Sequence, residues 1–218
     1  MILYYNKTER ATVRRHRERG TNERETIDAI LDEGFVGHLA FAADGQPFAI
    51  PMLYARGDGE LYLYGSPLSR LIRCVAFGIP VCFTVTLIDG IVFARSAFHH
   101  SINYRSAVIL GTGRTIDDRE EKHEALRLIV EHVARGRSDE VRGPSDGELK
   151  ATEVLALTIS EASAKVRTGP PADAAKDFAL PIWAGELPLA VQPGEPIPND
   201  RCEVDVPASV EHWRRVYA

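Results

Sequence analysis

The sequence has few cysteines, and it lacks the spacing that would link them. Cys74, Cys82 and Cys202 make an odd number, and no C-x-x-C pair occurs. A disulfide framework or a zinc ribbon is therefore not expected, and we predict reduced thiols. No apolar run approaches the roughly 18 residues that a membrane-spanning helix needs. The first residues are briefly apolar and then basic, the reverse of a signal peptide, so we expect a cytoplasmic protein with no membrane partner.

Positive charge is not in excess either. The 218 residues include 26 Lys and Arg against 31 Asp and Glu, a net charge of −5, which argues against nucleic acid as the main partner. One basic cluster, "RRHRERG" at 14–20, is either a nucleic-acid arm or a solvated or subunit-bridging extension. The apolar fraction of 44% is enough for a real core, as in an ordinary globular protein.

Three well-known functional motifs are absent. The chain has no G-x-S-x-G nucleophile elbow, no H-E-x-x-H metal-binding pair and no glycine-rich strand-to-helix turn of a doubly wound sheet. Serine-hydrolase chemistry, a metal site and a nucleotide-binding fold of that kind are therefore not predicted.

Two stretches carry a helix pattern with defined ends. In 21–34, Asn22 and Glu25 form a capping-box pattern, and Gly34 ends the apolar stripe. A second amphipathic pattern covers 117–136. Its inner face consists of Leu126, Ile129, Val130 and Val133.

Short runs rich in aromatic and β-branched residues recur at about ten-residue intervals, the rhythm of an antiparallel meander or barrel. The predicted strands are 35–42, 48–55, 60–65 and 154–161, and 81–96 is a predicted hairpin whose sheet continues to Gly111. Asp89-Gly90 predicts a hairpin turn. We therefore predict a mainly β fold with packed helices: an extension at 1–20, a barrel domain at 21–168, and a Pro/Gly-rich segment at 169–218 that packs on the barrel or on a partner subunit.

The stretch "YGSPLSR" places a strand end directly before a predicted helix. Ser66 is positioned to cap this helix, and Pro67 takes its first position. Free backbone N–H groups, the hydroxyls of Ser66 and Ser69 and the guanidinium of Arg70 would suit a phosphate. The alternative is a plain capped helix with Arg70 in solvent.

Pro51 interrupts the apolar run "FAIPMLYA". Proline cannot donate to a strand ladder, so Pro51 indicates an edge strand or a bulge. An edge strand with no functional role is the alternative.

The stretch "FARSAFHHSINYRSAVILG" at 93–111 combines a strand-like pattern with many polar groups. Neighbouring strand residues point to opposite faces, so His99 and His100 are poorly placed to share a metal. Four donors suggest either a bound anion or polar ring, or arginines paired at a subunit interface. These donors are Arg95, Asn103, Arg105 and Ser106.

Four ordered blocks together resemble one family. They are "GHLAFAADGQPFAIPMLYA", "LYLYGSPLSRL", "VCFTVTLIDGIVFARSAFHHSINYRSAVILG" and "KVRTGPP…WAGELPL". The set is similar to the pyridoxamine 5′-phosphate oxidase-like flavoproteins, within the flavin-nucleotide-binding branch that includes nitroimidazole-resistance proteins. The resemblance implies a split β-barrel, antiparallel and Greek-key-like, in a homodimer with FMN between the subunits.

Site residues follow from this resemblance. Ser66, Ser69 and Arg70 would hold the FMN phosphate, and the strand 50–54 would back the flavin ring. Arg105 and Ser106 match a strand that contributes to the cofactor site, and a tail tryptophan would help to close it. The complete predicted set is Ile50, Pro51, Met52, Leu53, Tyr54, Tyr64, Ser66, Ser69, Arg70, Arg105, Ser106, Lys165, Arg167 and Trp183.

The implied function is an FMN-dependent oxidoreductase acting on a small molecule. No side chain is assigned as catalytic acid or base. Many members of the branch carry histidine where this chain has Tyr64, and a tyrosine titrates near 10, which makes it a poor proton shuttle at neutral pH. The alternatives are a non-catalytic flavin- or haem-binding or sensor module, and a nitroimidazole reductase-type resistance protein.

Overall fold

One large β-sheet forms the centre of the protein, and helices pack around it. The computed structural model describes residues 2–217, with the side chains of residues 2–213. The strands are β1 Gly20–Thr21, β2 Val36–Ala43, β3 Gln46–Leu53, β4 Ala55–Arg56, β5 Glu60–Gly65, β6 Pro80–Phe93, β7 Ser101–Thr115, β8 Glu153–Thr158, β9 Glu161–Arg167 and β10 Gly185–Pro188. The helices are α1 Arg24–Glu33, α2 Arg70–Ala76, α3 Arg119–Val133, α4 Asp146–Ala151 and α5 Ala208–Tyr217.

The described strands join into one antiparallel sheet that curls without closing. Its main order is β3-β2-β6-β7-β8-β5-β4. The long strand β7 has two partners on one side, because residues 104–110 pair with β9 and residues 113–115 pair with β8. The curl brings β3 and β5, from near opposite ends of this order, into contact. The predicted mainly β fold with packed helices is confirmed.

The core fills the concave side of the sheet. Along β6 the buried side chains alternate, with Val81, Phe83 and Val85 facing inward, as strand geometry requires. Helix α1 covers this core with three buried residues. They are Ile27, Ile30 and Leu31.

The predicted hairpin at Asp89-Gly90 is wrong. Strand β6 runs straight through both residues, and its pairing with β7 only shifts register between Ile88 and Gly90. The reason is a contact distant in sequence. Gly90 lies opposite Pro188 of β10, where a Cβ atom would meet the Leu187 carbonyl oxygen at 3.0 Å. The missing side chain thus permits a close strand approach, and the chain reverses instead at residues 94–100.

The helix caps also differ from the prediction. Glu23 precedes α1 without a side-chain cap, and Asn22 instead donates from Nδ2 to the Ala162 carbonyl at 2.6 Å. In α2, Ser69 is the cap and accepts from the Ile72 N–H, so Ser66 lies one turn before the helix. Asn22 therefore ties the start of α1 to β9.

The two serines before α2 should differ in their effect on stability. Ser69→Ala removes the side-chain acceptor of the helix cap and should lower the free energy of unfolding by about 1 kcal/mol. Ser66→Ala should cost clearly less, since its hydroxyl accepts only a 3.3 Å bond from Leu68 N–H. Urea denaturation of both variants measures this, and a larger loss for Ser66→Ala would contradict the assignment.

The N-terminal segment packs on the barrel. Tyr5 and Ala11 are buried, and β1 pairs with β9. Glu161 holds the segment: it accepts from Thr8 Oγ1 at 2.6 Å and from Arg10 at 2.6 and 2.8 Å. These bonds, that from Arg10 first, lower the pKa of Glu161 to about 2.

This lowered pKa makes stability depend on pH. A carboxyl whose pKa is lower in the folded state than in the unfolded state stabilises the folded protein. This stabilisation is complete above the unfolded pKa, near 4.3, and is lost as the pH falls through the folded pKa of about 2. The difference in urea midpoint between wild type and Glu161→Gln should therefore be constant above about pH 5 and shrink towards pH 2. Arg10→Ala should flatten this dependence, and a difference that does not vary with pH would contradict the linkage.

The described part of the C-terminal segment, residues 169–217, follows the barrel surface. Strand β10 pairs with the end of β6, and Ser209 at the start of α5 donates to Glu140 at 2.6 Å. Trp213 donates from Nε1 to the Val133 carbonyl and meets the Phe35 ring edge-on at 5.7 Å. Helix α5 is thus held against the end of α3.

Candidate functional site

The exposed strand β3 and the start of α2 form one surface. The Arg70 guanidinium lies 4.7 Å from the centre of the Phe48 ring, which joins the helix start to β3. Ser66 and Arg70 are exposed here, and Ile50 is 40% exposed. Two hydroxyls and a cation therefore lie beside an open strand face, a combination suited to a phosphate attached to a flat ring.

Strand β3 lies at the edge of the sheet, as Pro51 predicted. Only β2 pairs with it in the described sheet, and Pro51 lies opposite His38. Most of its side chains are exposed or half-buried, including those of Met52 and Leu53. A ligand on this surface would reach the strand from solvent.

Tyr54, the last residue of the predicted ring-backing segment, lies in the core. Its side chain is fully buried, and its hydroxyl donates to the carbonyls of Leu31 at 2.6 Å and Gly34 at 2.5 Å. Burial raises the pKa of this hydroxyl well above its usual range. His132 also reaches the Gly34 carbonyl, at 2.7 Å from Nε2, and burial lowers its pKa. These side chains join α1 and α3, and the fully buried Tyr54 belongs to the core and not to the ligand surface.

An open cavity lies next to this surface. Its volume is about 1010 Å³, and it lies between α3, the loop before α4 and the barrel. Tyr64 and Leu53 form the barrel side of its wall. The sequence pattern assigned one face of α3 to the core, whereas all four residues of that face line this cavity.

Arg105 is already paired within its own chain. It bonds Glu33 Oε1 at 2.7 Å and Asp89 Oδ1 at 2.7 Å, and these bonds, with Glu33 first, raise its pKa further above its usual range. Ser106 donates to the Lys165 carbonyl at 3.3 Å. The sequence did not predict the pairing with Glu33 and Asp89, because these carboxylates lie 72 and 16 residues from Arg105 and only the fold brings them to it.

The β7 residues lie far from β3 within one chain. Strands β2 and β6 separate β3 from β7, a lateral distance of about 14 Å at the usual strand spacing of about 4.8 Å. The structure therefore joins Ile50, Tyr64, Ser66, Ser69 and Arg70 in one region. It places Arg105, Ser106 and Lys165 in another.

Arg167 anchors the chain after β9. It is buried and donates to Asn103 Oδ1, to the Gly169 carbonyl at 2.8 Å and to the Pro170 carbonyl at 3.0 Å. Asn103 in turn donates to Glu186 of β10 at 2.6 Å. These polar groups fix the course of the C-terminal segment.

The reversal between β6 and β7 carries the histidine pair. His99 ends a short 3-10 turn and His100 follows it, so the strand geometry assumed for them is wrong. Arg95 bonds Asp173 at 2.7 Å, and His100 Nδ1 lies 3.0 Å from the Ser96 carbonyl. Within residues 2–217, no group of three or more His, Cys, Asp or Glu side chains could hold a metal ion.

Trp183 projects from the C-terminal segment. It is 68% exposed, and its ring lies 5.8 Å from that of Phe93. Its indole face is thus open to a flat partner. None of the helices in the described part of the chain is long and apolar enough to cross a membrane.

The comparisons with known proteins agree with this architecture. The family model described as pyridoxamine 5′-phosphate oxidase matches residues 23–166. The flavocytochrome Anf3 of Azotobacter vinelandii is 36% identical, with a TM-score of 0.88 over 94% of this chain and 96% of that one. A FAD- and haem-binding protein of Mycobacterium smegmatis is also 36% identical, with a TM-score of 0.85 over 89% and 96% of the two chains.

A more distant structure shares the fold alone. It is a candidate 5-nitroimidazole antibiotic resistance protein of Bacteroides thetaiotaomicron, 23% identical, with a TM-score of 0.58 over 67% of this chain and 86% of that one. A search of curated proteins found no match. With its family match, its split-barrel architecture and its two similar relatives, the chain belongs to the flavin-binding pyridoxamine 5′-phosphate oxidase-like family.

Proposed function

We propose that the protein is a cytoplasmic FMN-dependent oxidoreductase that acts on a small molecule. The observation that carries this is the contact of Arg70 with Phe48, which places a cation and two serine hydroxyls at the exposed edge strand of a flavin-binding family member. Ser66, Ser69 and Arg70 bind the phosphate, and residues 50–53 face the ring. The bound flavin supplies the electron transfer.

The side chains near this surface orient the cofactor more than they move protons. Tyr64 is 38% exposed at the end of β5, where its ring can stack or donate a hydrogen bond. No side chain at this surface is assigned to proton transfer, so proton exchange with the substrate takes place through solvent or through the substrate's own groups.

We further propose a homodimer that completes the cofactor site. Within one chain, Arg105, Ser106, Lys165 and Trp183 belong to elements away from β3, and a second copy would bring them to the cofactor, whereas the buried Arg167 holds the segment after β9. Apolar side chains at exposed positions support this contact. They include Val36, Ile50, Phe178 and Trp183. Sedimentation equilibrium should give twice the chain mass of 24.1 kDa, and a monomer with full flavin affinity would contradict the shared site.

The visible spectrum of the purified protein tests the cofactor. A flavin absorption band should be present after purification or appear on titration with FMN, and mass spectrometry of the released ligand distinguishes FMN from FAD. A protein that stays colourless and binds neither at micromolar concentration would overturn the proposal. Anaerobic mixing with NADH or NADPH then tests redox activity: bound flavin that no donor reduces would indicate a non-catalytic flavin carrier or sensor.

A second candidate function is binding of haem together with flavin. The names of the two relatives at 36% identity favour it, since one is a flavocytochrome and the other binds FAD and haem. Addition of hemin to the purified protein tests this candidate separately, because haem and flavin absorb at different wavelengths.

A further inference from the structure

The cavity beside α3 lies apart from the proposed phosphate contacts and shares only Leu53 and Tyr64 with the proposed ring surface. At about 1010 Å³ it lies at the upper end of the range of about 300–1000 Å³ typical of cofactor and small-molecule sites. Helix α3 supplies one long wall, and the loop before α4 supplies the opposite side. Apolar side chains line its interior. They include Leu126, Ile129, Val130, Val133, Val141 and Pro144.

One imidazole lines this cavity. His123 lies three and seven residues before Leu126 and Val130, so the three side chains share one face of α3. It is partly buried. In the described part of the chain its ring interacts electrostatically with the Asp146 carboxylate and forms no hydrogen bond, so its ring nitrogens are available to a ligand.

We propose that this cavity binds haem, with His123 as an axial ligand to the iron. Histidine is the common protein ligand of haem iron, and apolar walls suit the macrocycle. The inference rests on the second candidate function above and gives that function a place in the fold. It does not depend on the phosphate site at α2.

The rim of the cavity suits the carboxylates that haem carries. Four arginines and three glutamates line it, so the arginines are in slight excess. The arginines are Arg119, Arg127, Arg137 and Arg142. Each already pairs with a carboxylate of the protein, and their side chains are 38–73% exposed. Exposed ion pairs of this kind contribute little free energy, so an arginine can leave its carboxylate and bind a haem propionate.

The cavity also adjoins the proposed flavin surface. Tyr64 and Leu53 line it, and they belong to β5 and β3, the two strands that meet beside α2. A haem in this cavity would therefore have the strand that faces the flavin as its neighbour. The phenol of Tyr64 would lie on the same side.

Titration of the full-length protein with hemin, followed by the Soret band and by electron paramagnetic resonance, tests the assignment. Wild type should bind hemin with a shifted Soret band. His123→Ala should weaken binding at least tenfold and change the iron spectrum, whereas His99→Ala, a histidine outside the cavity, should match wild type. Circular dichroism and flavin titration of each variant verify that it folds.

A second variant tests the cavity independently of the ligand. Val130→Phe places a larger side chain in the cavity and should exclude hemin without weakening FMN. If wild type binds no hemin, the second candidate function fails. If wild type binds it and His123→Ala gives the same affinity and spectrum, the assignment of His123 is wrong. If Val130→Phe weakens FAD but leaves hemin unchanged, the cavity holds the dinucleotide, and the proposal is overturned.

Discussion

Gly37→Ala should lower the free energy of unfolding by about 3 kcal/mol, the upper part of the usual range for an overpacked core. A Cβ atom at this position of β2 would lie 2.1 Å from Cζ of Phe83. The Phe83 ring is fully buried and meets the Tyr54 ring edge-on at 5.0 Å, so it has no room to move away. The added methyl must therefore displace the centre of the core.

Urea denaturation of matched variants measures this effect. Gly194→Ala adds the same methyl where no atom lies within 4 Å, and it should change stability by less than about 0.5 kcal/mol. Combining Gly37→Ala with Phe83→Leu removes the clashing ring atoms, so the double variant should lose less than the sum of the two single losses. Additive losses, or a Gly37→Ala protein as stable as wild type, would show that the ring is free to move.

Arg70→Ala should weaken FMN binding by a factor of about ten to one hundred, because a hydrogen bond to a charged group contributes about 1.5–3 kcal/mol. The expectation follows from the proposed phosphate position, where Arg70 is exposed and held over Phe48. Fluorescence titration with FMN measures the affinity. Titration with riboflavin, which lacks the phosphate, should show little difference between the variant and wild type.

Arg73→Ala is the matched control. It removes the same charge from the last turn of α2, one turn beyond Arg70, at an exposed position. Its FMN affinity should change less than threefold, a difference of about 0.6 kcal/mol. Equal losses for the two variants would indicate a general effect of positive charge, and an unchanged Arg70→Ala protein would place the phosphate elsewhere.

Local patterns predicted the elements that local forces determine. The sequence predicted the amphipathic helices α1 and α3 from their apolar periodicity, and it predicted the edge position of β3 from a proline inside the strand. Both signals depend on residues only a few positions apart. The ordered blocks around "GSPLSR" and "NYRS" likewise identified the family, which the model match over residues 23–166 confirms. These signals need no knowledge of the tertiary structure.

The wrong predictions share a cause in contacts distant in sequence. Asp89-Gly90 has the composition of a tight turn. In the structure, however, β10 packs closely against Gly90, and Arg105 bonds the Asp89 carboxylate. Asn22 has the composition of a cap, yet its amide bonds a carbonyl 140 residues away. In both places a tertiary partner competes with the local preference and determines the outcome.

The cavity beside α3 could not be predicted from the sequence, for a different reason. A face of apolar residues has the same pattern whether it packs against a sheet or lines an open space. Ile129 and Val130 both line the cavity, although the first is buried and the second is half-buried. The position of the loop before α4 decides whether this face of α3 is covered by other residues or left open as a cavity wall.

The two prolines of the edge strand have a consequence for solubility. Backbone N–H groups along a strand point alternately to its two sides, so Pro47 and Pro51 lie on the same side as Ala49 and Leu53. A proline has no N–H to give to β2, and these four positions therefore face away from the sheet. Half of the outward donors of β3 are missing as a result. A strand from another molecule cannot continue the ladder there, which protects this open edge against fibril-like aggregation.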